Sequence, residues 1–225
     1  MKKAATQDRK GAHRTRSHVL APTPPTKPSA LKRWKALAGS VPREADLVLI
    51  GDSLAAGWPS ELLRGAAPGK RIFNFGLPGD RIQNTLWRLE TVDLAHLRPG
   101  EVLILVGTNN LGDGDEPEDI AAGLANLIVK VRSLWAEAEL IVVAIPKRGS
   151  LSGFCENGRL HLNRLIARLT AGINRAHVID ADRALGITES DLSPLNRTDL
   201  LPSDEGYRRL TVAIAMSRLP AAKGS

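Results

Sequence analysis

The sequence predicts a doubly wound α/β fold, in which a parallel sheet lies between two layers of helices. Five short runs are continuously apolar and rich in β-branched residues, which is typical of strands buried on both faces. Helical patterns separate these runs, so that strand and helix alternate along the chain. The five runs are Leu47–Ile50, Ile72–Phe75, Val102–Val106, Leu140–Ile145 and His177–Ile179.

Three longer helices are predicted where apolar residues recur at helical spacing. The first runs to Leu134, with Asp115 as its expected N-cap and Pro117 in its first turn. The second is centred on Leu160–Leu169 and the third covers Leu210–Leu219. With 225 residues and 43% hydrophobic content, the chain is long enough for one well-packed domain.

The first 29 residues differ in composition from the rest. Residues 1–30 carry six of the seven net positive charges and four prolines, with few large apolar side chains. We therefore expect residues 1–29 to form a disordered basic tail and residues 30–225 to form the domain, which begins with a short basic helix over Ala30–Leu37. A basic tail can bind nucleic acid or an anionic membrane. Because no aromatic residues interleave with these charges, we interpret it as a solubilising extension instead.

Several functional classes lack their signals in this sequence. No stretch has the length of a secretory apolar region or of a membrane span. Cys155 is the single cysteine, which excludes an intramolecular disulfide and favours a cytoplasmic protein. Neither zinc-ligand spacing nor a P-loop nor a dinucleotide fingerprint is present, so we expect no metal and no cofactor.

Small, polar and charged residues follow three of the predicted strands. These segments are Gly51–Leu54, Gly76–Asp80 and Gly107–Asn110. In a parallel sheet, ligands bind beyond the carboxyl ends of the strands, and all three segments fall at that edge. Taken singly, each has an ordinary structural explanation as a helix cap or a turn. Their joint occurrence, in order along the chain, indicates a site.

The same segments resemble the sequence blocks of the SGNH (GDSL) hydrolases. Between Phe73 and Asn110 the chain is similar to the catalytic subunits of platelet-activating-factor acetylhydrolase type Ib, and this resemblance continues through Arg175–Asp182 to Gly206–Tyr207. It covers roughly residues 45–219. The resemblance implies a flavodoxin-like three-layer sandwich with a five-stranded parallel sheet. It also implies hydrolysis of small acyl esters, often acetyl esters.

Carried over by position, the resemblance makes Ser53 the nucleophile. The Ser53 N–H, the Gly79 N–H and the Asn109 side-chain amide would bind the oxyanion of the reacting ester. A glycine at 79 allows close approach of the backbone to that oxygen. A helix N-terminus at Ser53 favours the negative charge that develops there.

The chain departs from the family at its C-terminal block, which is Asp-x-x-His. Counting back from Gly206–Tyr207 places Thr198 in the Asp position and Leu201 in the His position. Shifting by one residue brings Asp199 into the first position but leaves Pro202 in the second. Neither alignment supplies a general base for Ser53.

Other residues are weak substitutes for the missing histidine. His161 opens a helix that follows a strand, so it is a candidate base on the same edge as Ser53. Asp199 is a second candidate, although its ordinary pKa near 4 makes it a poor base at neutral pH. His96 and His177 lie at the starts of strands, on the opposite edge of the sheet.

The missing base defines two readings of the function. Loss of a triad member costs about 10⁴ to 10⁶ in turnover, while an oxyanion hole alone retains about 10³ to 10⁴ over water. The first reading is therefore an esterase for small acyl esters with impaired activity. The alternative is a catalytically inactive SGNH-like binding protein, acting as a homodimer or as a paired subunit.

Overall fold

The computed structural model describes residues 17–147, 155–188, 191, 193–194 and 201–218. Its centre is a parallel sheet of five strands in the order β2-β1-β3-β4-β5. All five predicted strands are present, with ends that differ by one or two residues from the predicted runs. The strands are β1 (Leu47–Gly51), β2 (Ile72–Gly76), β3 (Glu101–Leu105), β4 (Glu139–Val143) and β5 (Ala176–Ile179).

Helices connect the strands and cover both faces of the sheet. The described helices are α1 (Ser17–Leu20), α2 (Pro28–Ala38), α3 (Ser53–Ala56), α4 (Ser60–Ala66), α5 (Ile82–Thr91), α6 (Thr108–Gly112), α7 (Pro117–Leu134), α8 (Glu156–Ala171), α9 (Ala181–Leu185) and α10 (Asp204–Ser217). Three of these, α7, α8 and α10, match the three long helices predicted from apolar spacing. The doubly wound α/β prediction is confirmed.

Alternating strand residues divide the interior into two apolar cores. Val48 and Ile50 of β1 belong to the core under α5, α7 and α8, whereas Leu47 and Leu49 belong to the core under α3, α4 and α10. Successive side chains of a strand point to opposite faces, so that one apolar run supplies both layers. This is why the strands read as continuous apolar runs in the sequence.

The structure differs from the expectation of disorder up to residue 29. Residues 17–29 pack on the domain, and the Val19 side chain is fully buried in the core under α5 and α7. The Thr23 backbone joins this segment to α5, because its N–H donates to Gln83 and its carbonyl accepts from the Asn84 side chain. A deeply buried valine and specific hydrogen bonds hold the segment. The prediction of disorder rested on the overall composition of residues 1–29, which does not reveal individual contacts of this kind. Residues 1–16 lie outside the described residues.

Asp115 was also predicted incorrectly as the N-cap of α7. The N-cap is Glu116, without a side-chain hydrogen bond, and Pro117 occupies the first turn as expected. The buried Asp115 carboxylate instead accepts from the Asn110 side chain at 2.9 Å and lies 3.2 Å from His18 Nε2. It therefore connects α1 to α6, the short helix that follows β3.

At the amino edge of the sheet, an ion-pair network holds the C-terminal helix. Glu101 of β3 pairs with Lys70 and with Arg218, each at 2.7 Å. Burial raises the pKa of Glu101, but the hydrogen bonds from Lys70 and Arg218 outweigh this and hold it below its ordinary value. Arg218 directly follows α10, so this network anchors one end of that helix.

Candidate active site

The register of the sheet places the three predicted loops at one edge. Gly51 at the end of β1 pairs with Gly76 of β2 and with Leu105 of β3. Ser53 and Gly79 lie two and three residues beyond these strand ends, and Asn109 lies four residues beyond Leu105. The carboxyl edge of three adjacent strands thus carries all three residues, as a site in this fold requires.

Ser53 begins the short helix α3 after a sharp turn. The buried Asp52 is the N-cap of α3, and its carboxylate accepts from the Leu54 N–H at 2.9 Å. The N–H groups of a first helical turn lack partners within the helix, so the Ser53 N–H is a donor of the kind that an oxyanion hole uses. Ser53 itself is partly exposed, consistent with access to a ligand.

Close packing explains the glycines on either side of this turn. A Cβ at Gly51 would lie 2.0 Å from the Leu105 carbonyl oxygen, and a Cβ at Gly76 would lie 2.5 Å from the Ala56 nitrogen. The Asn74 side chain adds to this contact, donating to the Ala55 carbonyl at 2.8 Å. The serine turn is therefore pressed onto the ends of β2 and β3.

Gly79 occupies a turn that only glycine adopts readily. Its φ is +86°, and open space surrounds its Cα where a side chain would start. The turn begins with the Leu77 N–H donating to the Gly51 carbonyl at 2.9 Å. It follows that the Gly79 loop is tied directly to the residue that precedes Asp52.

Asn109 lies against the Gly79 loop. Its side-chain amide donates to the Asp80 carbonyl at 2.7 Å, and this is one peptide unit beyond Gly79. An amide group carries two N–H bonds, so this contact uses one and leaves the other for a bound oxygen. The partly exposed Asn109 thereby stands next to the predicted backbone donor.

The next residue, Asn110, has a different role. It is fully buried, its Oδ1 accepts from the Ile82 N–H at 3.0 Å, and its Nδ2 donates to Gln83 and to Asp115. These contacts fix the start of α5 against the loop after β3. Of these two consecutive asparagines, Asn109 is partly exposed beside the Gly79 loop and Asn110 is buried and structural.

Asp80 forms a fully buried ion pair with Arg88 of α5, with Nε 2.6 Å from Oδ2. Burial raises the pKa of Asp80 despite the attraction of Arg88, and burial likewise lowers the pKa of Arg88. The sequence did not reveal this pair, because an arginine eight residues from an aspartate has no local signature. The hint available was a charged residue within the apolar pattern of a short helix.

Leu201, the residue predicted to occupy the base position, is apolar. Leu201 is partly buried, packs on the core under α10, and its Cδ1 lies 3.7 Å from where a Gly57 Cβ would be. Gly57 directly follows α3, so residue 201 is still beside the serine helix. Thr198 and Asp199 lie outside the described residues.

Tyr207 joins α10 to the serine helix. Its hydroxyl donates to the Leu54 carbonyl at 2.9 Å, and burial together with the nearby Asp52 carboxylate raises the pKa of Tyr207 well above its ordinary value. A neutral tyrosine with this pKa is a poor base at neutral pH. It acts as a hydrogen-bonding strut between the two elements.

His161, a candidate base in the sequence analysis, has hydrogen-bond partners on α7 and α8. Its Nε2 lies 2.7 Å from the Glu118 carboxylate of α7, and its Nδ1 lies 3.5 Å from Arg164. Both ring nitrogens thus have partners on α7 and α8, and neither partner belongs to the Ser53, Gly79 or Asn109 loops. Among the residues that the structure describes, no group of three or more His, Cys, Asp or Glu side chains is placed to hold a metal ion.

The fold and the order of these loops are those of an SGNH hydrolase. The sequence model of the GDSL-like lipase/acylhydrolase family matches residues 49–209. The chain therefore belongs to this family of acylhydrolases and esterases.

Curated relatives and solved structures agree with this assignment. The chain is 32% identical over 186 residues to human platelet-activating factor acetylhydrolase IB subunit alpha1, covering 80% of each chain. It is 25% identical to the human subunit alpha2, covering 75% of this chain and 73% of that subunit. A lipase/acylhydrolase from Enterococcus faecalis shares the fold with a TM-score of 0.64 and 23% identity, over 78% of this chain and 95% of that one.

Within the part of the chain that the structure describes, no helix combines the length and the apolar character that crossing a bilayer would need.

Proposed function

We propose that this protein binds small acyl esters, acetyl esters in particular, at Ser53, Gly79 and Asn109, and hydrolyses them slowly. The observation that carries this proposal is the 2.7 Å hydrogen bond from the Asn109 amide to the Asp80 carbonyl, beside the Gly79 turn. It supports a pocket in which backbone and side-chain donors converge on one oxygen. The name of the relatives, acetylhydrolase, supports the acetyl group.

In the proposed reaction, Ser53 Oγ attacks the ester carbonyl carbon and the carbonyl electrons move to its oxygen. The Ser53 N–H, the Gly79 N–H and the Asn109 amide stabilise that negative charge, each donor contributing about 3–4 kcal/mol in comparable sites. The alcohol then leaves, and water releases the acyl group from Ser53. Each step needs a proton acceptor or donor, and Leu201 supplies neither.

The rate at which the purified protein hydrolyses a chromogenic acetyl ester tests this proposal. We expect turnover far below that of ordinary enzymes, and Ser53→Ala should remove the small part of it that comes from attack by Ser53. Ser60→Ala, at the exposed start of α4, serves as the matched control. A Ser53-dependent turnover of about 1–10³ per second would contradict the impaired-enzyme proposal and indicate a working base.

A second candidate function is that of a binding protein or partner subunit without catalytic activity. The packing of Leu201 beside Gly57 supports it. Leu201 packs as an apolar side chain beside Gly57, so the base position now contributes to packing. The relatives are named as subunits, which favours a homodimer or a paired subunit. A cytoplasmic location stays a prediction from the single cysteine.

Nuclear magnetic resonance titration with methyl acetate separates the two candidates. Shifts of the Ser53 and Gly79 amides, absent in Gly79→Val, would support acyl-ester binding. Light scattering that shows a dimer, together with no shift at these amides, would favour the subunit.

A further inference from the structure

Arg88 of α5 bridges the ends of two strands and one loop from a fully buried position. Its Nε donates to the Asp80 carboxylate at 2.6 Å, its Nη1 to the Phe75 carbonyl at 2.8 Å and its Nη2 to the Gly51 carbonyl at 3.3 Å. The guanidinium also lies over the Phe75 ring, 4.5 Å from its centroid. One rigid planar group therefore contacts β1, β2 and the loop after β2.

These acceptors are neighbours of the proposed oxyanion donors. Gly51 stands two residues before Ser53, and Asp80 directly follows Gly79. A guanidinium presents its donors in a fixed fork, so the distances among its acceptors are fixed as well. An ammonium group carries its three donors on one nitrogen atom, so a lysine at 88 cannot keep the three acceptors at the spacing that the three guanidinium nitrogens set.

We propose that Arg88 is a positioning residue that sets the spacing between the Ser53 turn and the Gly79 turn. It does so by holding the Gly51 carbonyl and the Asp80 carboxylate on one guanidinium. This positioning role rests on the proposed function, because the two turns that Arg88 spaces carry the proposed oxyanion donors. The measurement below uses no activity, so the two proposals can fail separately.

Arg159 of α8 provides a matched control at the same edge of the sheet. It is also fully buried, and it donates to the Ile145 carbonyl at 2.7 Å and to the Asp182 carboxylate at 2.7 Å. Its contacts join the segment directly after β4 to α9, on the far side of β3 from the Ser53 turn. Loss of either arginine removes one buried fork, and the two differ in the loops that they hold.

Native-state amide hydrogen exchange of Arg88→Lys and Arg159→Lys tests the proposal. The informative amides are Leu77, which donates to Gly51, and Ile82, which donates to Asn110. After correction for the change in global stability, we expect Arg88→Lys to speed exchange at both amides at least about tenfold. We expect Arg159→Lys to leave them within about twofold.

The Lys147 amide should show the opposite result, because its N–H donates to Asp182, which Arg159 binds. We expect its exchange to become faster in Arg159→Lys and to stay unchanged in Arg88→Lys. Wild-type protection of Leu77 and Ile82 in Arg88→Lys would overturn the proposal, as would equal loosening in both variants. If Arg88→Lys does not fold, Asp80→Asn carries the same test. This variant keeps the shape of residue 80, and unchanged exchange at Leu77 in it would equally count against the proposal.

Discussion

The loops after β1, β2 and β3 are joined by a dense set of hydrogen bonds, whereas the segment before α10 places the apolar Leu201 at the predicted base position. In the first region Asn109, Asn110 and Arg88 each bind a neighbouring loop. In the second region Leu201 makes apolar contacts beside α3. After their proposed roles, we call the first region the oxyanion half and the second the base half.

Under the proposed function, the difference indicates which parts of the site are also needed for the stability of the fold. In the oxyanion half, Asn110, Arg88 and the close-packed Gly51 complete the hydrogen bonding and packing at the sheet edge, so losing them destabilises the protein. A catalytic histidine is not needed for the stability of the fold in the same way. Leucine at 201 packs on the core under α10, and the scaffold is kept without it.

The largest expected effect is on the packing beneath the oxyanion half. Gly51→Ala places a Cβ 2.0 Å from the Leu105 carbonyl oxygen and 2.8 Å from the Ala55 Cβ, so we expect a loss of about 3 kcal/mol or more in the free energy of unfolding. Gly65→Ala is the matched control in α4, where the new Cβ meets only Thr211 at 3.8 Å. It should be neutral or stabilising by about 0.5–1 kcal/mol. Urea unfolding that shows equal losses in both would contradict the close packing.

The two asparagines after β3 sharpen the comparison at a smaller scale. Asn110→Ala leaves the Ile82 N–H and the buried Asp115 carboxylate short of a partner, so we expect a loss of about 2–3 kcal/mol. Asn109→Ala, at a partly exposed site, should cost less than about 1 kcal/mol. Chemical denaturation of both variants checks this order, and the opposite order would assign the structural role to Asn109.

The smallest expected effect concerns how α10, which follows the base half, is anchored. Glu101 has a folded-state pKa below its ordinary value of 4.5. Its contribution to stability is therefore present above that pH and is lost as pH falls through the lower folded-state pKa. Between pH 5 and pH 3, Glu101→Gln should lose less stability than the wild type in urea titrations. Parallel curves for the two proteins would mean that Lys70 and Arg218 do not hold Glu101.

The sequence was sufficient for the sheet, because each strand is a short apolar run with its own local signal. It was also sufficient to place Ser53, Gly79 and Asn109 after successive strands. The three-layer, flavodoxin-like arrangement came from the resemblance to a family, and the order of the strands in the sheet came from the structure. Val19 shows the limit, since one valine within a basic, proline-rich segment packs against α7 only when the whole domain is present.

The positioning network of the site was not predictable from local patterns. Arg88 binds residues 8, 13 and 37 positions away in sequence, and Asp115 binds His18 of the N-terminal segment. Such contacts depend on which loops the fold brings together. His161 is on a helix that follows a strand, as predicted. Its pairing with Glu118 was not predictable, because it depends on how α7 packs against α8.

The central claim is that the oxyanion half keeps its arrangement although the predicted base position holds leucine. The most direct test is the esterase rate of the double variant Thr198→Asp, Leu201→His. Because residue 201 still lies beside α3, the new histidine should accept the Ser53 proton, and the aspartate should fix its tautomer. With a chromogenic acetyl ester we expect a gain of at least about 10²-fold, abolished by Ser53→Ala, with Leu201→His alone recovering part of it. A double variant that folds with wild-type stability but stays at the spontaneous rate would contradict the account.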